Sequence, residues 1–236
     1  MAEDMRTERL LANVELVRSR GDPQTGKLCL MSLVARLAAE PHSDHPQAAS
    51  PAIGAFARAI NDAMDRHTRQ RLLPFAPRIA GTHAALDGDR RVHLHRVLVA
   101  ELLPNLATDL QVAAVSETDA TAAETTARLV AELRARSESE QGRVVQDPRW
   151  DGAALIGPLR AAYLAHRDGH SEQHAESVAH ILIAGAYRVA RPSRRTWYWD
   201  RAVAALDGMC DLDPRPGPRA FESAQARAGT APDQAG

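Results

Sequence analysis

Apolar residues recur at three- and four-residue spacing along most of this chain, the pattern of helices that bury one face. The clearest block begins at Ser50-Pro51, an N-cap serine followed by proline at the first helical position. Ile53, Phe56, Ala57, Ile60 and Met64 follow at i, i+3, i+4, i+7 and i+11, and Arg58, Asp62 and Asp65 fall on the other side. Residues 28–40 are polar only at Ser32, Arg36 and Glu40, a stripe spaced four apart on an otherwise apolar helix. A helix so apolar must be buried, and the stripe reads as its solvent edge. Arg36 and Glu40 also stand at the i,i+4 spacing that permits an ion pair.

The remaining elements follow from the same periodicity and from their stop signals. Leu10, Val14 and Val17 predict a first helix over 4–20, with Gly21 as its left-handed stop. A short helix over 67–73 breaks around Pro74 and Pro77. Asp87 or Asp89 caps a helix to 103 that carries Leu94, Leu98 and Leu102 on one side and is interrupted by Pro104. Ser116 and Asp119 resemble the ends of a capping box and open a helix to 136. The polar run Ser137-Glu138-Ser139-Glu140-Gln141-Gly142 is the best linker. Asp147-Pro148 or Asp151 begins a helix to 167, which Gly169 ends. Ser171 caps the next, with Ala175, Val178, Ala179, Leu182, Ala186 and Val189 as its apolar face. Pro192-Ser193 opens the last, with Trp199, Val203, Leu206 and Cys210 on one side. No strand is predicted, since Val144-Val145 is too short to count.

The expected architecture is therefore all-α, a multi-helix bundle of about eight or nine helices. An N-terminal helical region covers 1–136 and a C-terminal one 147–212, as two domains or as parts of one. Residues 213–236, rich in Pro, Gly, Ala and Arg, are expected to form a disordered tail.

Composition sharpens this picture. Hydrophobic residues make up 44% of the 236 and aromatics only 4%, so packing rests on aliphatic side chains, which suits close-packed helices better than a sandwich. The net charge of −1 gives no electrostatic reason to expect nucleic acid as a partner. Lys27 is the sole lysine among many arginines, which together with abundant alanine fits a GC-rich genome. Cys29 and Cys210 show no disulfide framework, and Met1-Ala2-Glu3-Asp4 does not resemble a signal peptide. The expected location is the cytoplasm, with no membrane span.

The candidate chemistry is concentrated in one loop. Glu40-Pro41-His42-Ser43-Asp44-His45-Pro46 places two imidazoles and two carboxylates close together after the apolar helix. His42, Asp44 and His45, with Glu40 or a distant residue such as His93 as a fourth ligand, are the types a divalent metal takes. The competing reading is a connector in which Ser43 or Asp44 bonds nearby backbone amides. Cys29 as nucleophile, with His42 as base and Asp44 orienting it, is a further possibility set against a buried structural thiol. His166, His170, His174 and His180 are read as surface histidines, because Gly169 separates the first two and the metalloprotease arrangement is missing. His93 and His95 point to different helix faces. Arg194-Arg195 before Trp197, Tyr198 and Trp199 reads mainly as packing, with Trp199 as the core anchor. Residues 21–28 lack the glycine and hydroxyl of a phosphate loop, and no helix-turn-helix signature stands out.

Residues 29–33, the 40–46 loop and the stretch RQRLLPFAPRIAGT over 69–82 resemble a group of uncharacterised helical proteins of high-GC Gram-positive bacteria and their phages. The resemblance covers roughly the first hundred residues and implies no activity and no site. The leading functional expectation is a helical interaction or accessory module that binds a protein partner or itself. The alternatives are a metal-dependent hydrolase built on the 40–46 loop, whose cofactor is a divalent ion, and a DNA-binding regulator.

Overall fold

The computed structural model describes residues 7, 9–114, 155–189 and 192–213. The capping-box helix at 116–136, the linker at 137–142, the helix starts at 147 and 151, and the tail at 214–236 lie outside the described residues. The described chain is mostly helical, with one small sheet. It divides into two compact units, one of residues up to Asp87 together with those from Leu206, the other of Gly88–Ala205.

In the first unit the expected helix over 4–20 is not formed. Residues 9–12 are helical, but the chain then enters a three-stranded sheet: β1 (Glu15–Leu16), β2 (Gly21–Asp22) and β3 (Lys27–Leu28), in the order β1-β3-β2. β1 pairs parallel to β3, Leu16 opposite Leu28, and β2 pairs antiparallel to it, Gly21 opposite Leu28. Side-chain amides from far along the chain decide this. Gln70 accepts from the Leu16 N–H and donates to the Leu16 carbonyl, both at 2.9 Å, as a neighbouring strand would. Asn61 accepts from the Leu30 N–H and donates to the Val17 carbonyl. Gly21 does have positive φ (71°), but inside a strand pair, where a Cβ would collide with the backbone of Lys27 and Leu28.

α1 (Leu30–Leu37) is shorter than expected and is buried through most of its length. Ser32 is buried and Arg36 exposed, so the polar stripe is not a continuous solvent edge. The helix ends in a Schellman pattern: Ala39 has φ 56°, its N–H donates to the Arg36 carbonyl, and the Glu40 N–H donates to Ala35. Leu30, Leu33 and Val34 form the core of this unit with Leu16, Leu28, Ile53, Phe56, Ile60 and Met64.

α2 (Pro51–Ala63) starts as its sequence dictates, the Ser50 hydroxyl accepting from the Ile53 N–H. α3 (Arg66–Arg69) is capped by Asp65, and a 3₁₀ segment (Gln70–Phe75) carries Pro74 into α4 (Ala76–Ile79), which packs on α1. Asp213, where the tail was expected to begin, is buried and accepts from the His83 N–H.

In the second unit α5 (Asp87–Val97) does not stop near Pro104. A π segment (Leu98–Leu102) links it to α6 (Leu103–Ala114), with the Leu103 N–H donating to the Leu98 carbonyl five residues back. The wider turn changes the hydrogen-bond register just before the residue that has no N–H to donate. α7 (Ile156–Arg167) and α8 (Ser171–Ala184) form a tightly packed helical hairpin. Gly169 (φ 81°) makes the turn, as its sequence position suggests. Ser171 is the first helical residue of α8 rather than its cap, which is His170 and makes no side-chain bond. A second π segment (Gly185–Val189) follows α8. α9 (Pro192–Asp211) begins in this unit, and Tyr198 and Trp199 are both buried.

Candidate metal centre

The 40–46 loop is held by its own side chains. The Glu40 carboxylate accepts from the Gln47 N–H (2.8 Å) and the Ala48 N–H (2.7 Å), so it clamps the loop instead of pairing with Arg36. Ser43 accepts from the His45 N–H, and the Asp44 carbonyl accepts from Arg58. His42 and His45 are exposed, with His42 Nε2 3.3 Å from the Gly21 carbonyl. No three of Glu40, His42, Asp44 and His45 bring ligand atoms within 4.8 Å of one another. Cys29 is the N-cap of α1, where its sulfur accepts from the Ser32 N–H and shares a bond with the Ser32 hydroxyl. Burial pushes this thiol up, against the hydrogen bonds from Ser32, whereas a nucleophilic thiolate needs a lowered value. A shallow, open depression lined by Val14, Glu15, Arg66, His67 and Gln70 is bridged by the Arg66–Glu15 ion pair.

Three histidines that the sequence pattern does not group, two of them expected on the surface, converge within the second unit. α5 supplies His95, the last turn of α7 supplies His166, and the first turn of α8 supplies His174. One nitrogen from each lies within 4.8 Å of the other two, the one such group of three among the described residues. His95 and His166 stack with ring centroids 3.6 Å apart and planes 10° from parallel. The His174 ring is tilted against both, at 5.7 and 5.3 Å.

His174 is fully buried, and its Nδ1 lies 2.8 Å from the Ala162 carbonyl. A carbonyl only accepts, so Nδ1 carries the proton and Nε2 presents a bare lone pair. That Nε2 and the buried Nδ1 of His95 have no hydrogen-bond partner among the described residues. All three rings favour the neutral form. Burial lowers His95 to about 3, with help from His166, His174 and Arg91. Burial likewise lowers His174 to about 4, against the hydrogen bond to Ala162, and it lowers His166, where the Arg91 charge adds to it.

Neutral imidazoles are what a borderline transition ion takes, and for His174 the bond from Nδ1 to the Ala162 carbonyl also orients the ring. The group contains no carboxylate, so it does not suit magnesium or calcium. Tetrahedral coordination at ~2.0–2.1 Å would draw the three nitrogens to about 3.3 Å of one another, a closure that side-chain rotation must supply. Three ligands leave a fourth position for water or another donor.

A sequence signal for part of this centre exists. His174 precedes Val178 by four residues and so lies on the apolar stripe of α8, and His166 follows the buried Ala162 by four. His170 and His180 are exposed, while His93 has a buried Nε2 and its own surroundings.

Compared with known proteins, the chain matches no family model, no curated protein and no solved structure. Among the described residues no helix is long and apolar enough to cross a membrane.

Proposed function

We propose that this protein binds one first-row transition ion through His95, His166 and His174, as a helical metal-binding module. The observation that carries the reading is the bare, buried Nε2 of His174, aimed among two further neutral imidazoles from two other helices. A buried acceptor left without a partner costs free energy, and a metal ion compensates for it directly. Of the earlier expectations, a hydrolase built on the 40–46 loop would need its ligands to move together, and an interaction module rests on amphipathic helices alone.

The test is titration of chelator-stripped protein with zinc and with cobalt, followed by calorimetry and by the visible absorbance of cobalt. One ion per chain is expected, lost in His95→Gln and His166→Gln and retained in the double variant His42→Ala, Asp44→Ala. Loss in the loop variant with retention in the other two would move the metal to the 40–46 loop. No binding to the unaltered protein would leave the interaction module as the reading.

A further inference from the structure

The cluster contains a fourth basic side chain. Arg91 lies one turn before His95 on α5, and its Nη1 donates to the His166 carbonyl at 2.5 Å and sits 3.2 Å from His166 Nδ1. A guanidinium only donates, so Nδ1 of His166 is the accepting nitrogen and the proton of that ring is on Nε2. This is the opposite tautomer to that of His174, whose Nδ1 is the donor.

We infer that Arg91 is a placeholder for the metal: its contact with His166 Nδ1 and occupation of the three-histidine centre exclude one another. The inference rests on the metal-binding reading above. Its logic holds whichever nitrogen of His166 becomes the ligand. If the ion takes Nδ1, it occupies the lone pair that Arg91 now uses. If the ion takes Nε2, that nitrogen must lose its proton, and the neutral ring then carries a proton on Nδ1. Two donors cannot face each other, so Arg91 must leave Nδ1 in this case as well. Electrostatics act in the same direction, because the guanidinium charge adjoins an ion whose three ligands are all uncharged.

Metal uptake thus exchanges one cation for another. The arginine contact with the His166 ring gives way to coordination that joins α5, α7 and α8, while the bond from Arg91 to the His166 carbonyl does not compete with the ion. Arg91 sets the affinity of the site, and the loss of its contact with His166 Nδ1 is the local event that reports occupancy.

The experiment compares zinc affinity of the unaltered protein and of Arg91→Met, which keeps the aliphatic stem and removes charge and donors. Binding tighter by about tenfold or more is expected, roughly the factor of one charge-assisted hydrogen bond. Equal affinities would overturn the inference and leave the metal site intact. Absence of zinc binding in both proteins would instead refute the metal reading, and this inference with it. A second measurement needs no variant: imidazole nitrogen NMR of the unaltered protein before and after zinc. His166 should pass from a ring protonated on Nε2 to one that is metal-bound or protonated on Nδ1. A zinc-loaded protein whose His166 spectrum is unchanged would refute the exchange.

Discussion

Single side chains in this molecule are placed by what their second polar atom bonds. His174 donates through Nδ1 to Ala162, and that one bond leaves Nε2 bare. Glu40 spends both oxygens on the amides of Gln47 and Ala48, which makes it a loop clamp. The neutral histidines carry a consequence for stability against pH. His95 falls from 6.5 to about 3 and His174 from 6.5 to about 4, both chiefly through burial. Each is a basic group whose folded value is depressed, so between the folded and unfolded values the unfolded chain holds more protons. Stability of the metal-free protein should therefore be full above 6.5 and decline as pH falls toward about 4 and then about 3. Urea midpoints across this window would follow the decline, and His95→Gln should flatten it. Solvated surface histidines, as the sequence suggested, would give no such slope.

At the scale of elements, periodicity identifies a helix well when its partners are local. α2 begins at Pro51 behind the Ser50 cap, and the expected five side chains from Ile53 to Met64 are buried, because the cap, the proline and the stripe all lie in or next to the helix. Residues 13–28 show the limit of that logic. Val14 and Val17 have helical spacing, yet Leu16, between them, is fully buried and its backbone is held by Gln70, 54 residues away. No local window contains that bond. Replacing Gln70 with Met keeps the side chain's length and removes both bonds to Leu16. At about 0.5–1.5 kcal/mol for each, the variant should lose roughly 1–3 kcal/mol in chemical denaturation. A neutral effect would mean that packing of Leu16 alone holds β1. Pro104 gives the complementary lesson: a proline expected to end a helix is accommodated because a π turn precedes it.

For the whole molecule, the two units divide the roles. The unit up to Asp87 holds the apolar helix and the histidine-bearing loop that drew attention in the sequence, and it uses them for packing and loop closure. The unit from Gly88 to Ala205 holds the three converging histidines. Trp150, Trp197 and Trp199, the only tryptophans, all fall within that second span of sequence. Tryptophan fluorescence is therefore the probe for the unit that carries the metal centre. At zinc concentrations one hundred times Kd, binding to the folded state alone should stabilise the fluorescence-monitored transition by about 2.7 kcal/mol. His166→Gln should abolish that gain while the metal-free transition remains.

Helix content, most helix positions and the main start and stop signals were determined by the sequence itself, because each depends on residues a turn or two apart. The apolar stripes required burial, and Ser50-Pro51 and Gly169 marked boundaries through backbone preferences that hold in any context. Only the tertiary structure decided that residues 15–28 form a sheet, and that His95, His166 and His174 meet. Both outcomes depend on partners brought together by packing across long stretches of chain, such as Gln70 with Leu16 and Arg91 with His166, 75 residues apart. A histidine's proton and lone pair are likewise allotted by the group it finally faces, and no neighbour in sequence fixes which group that is.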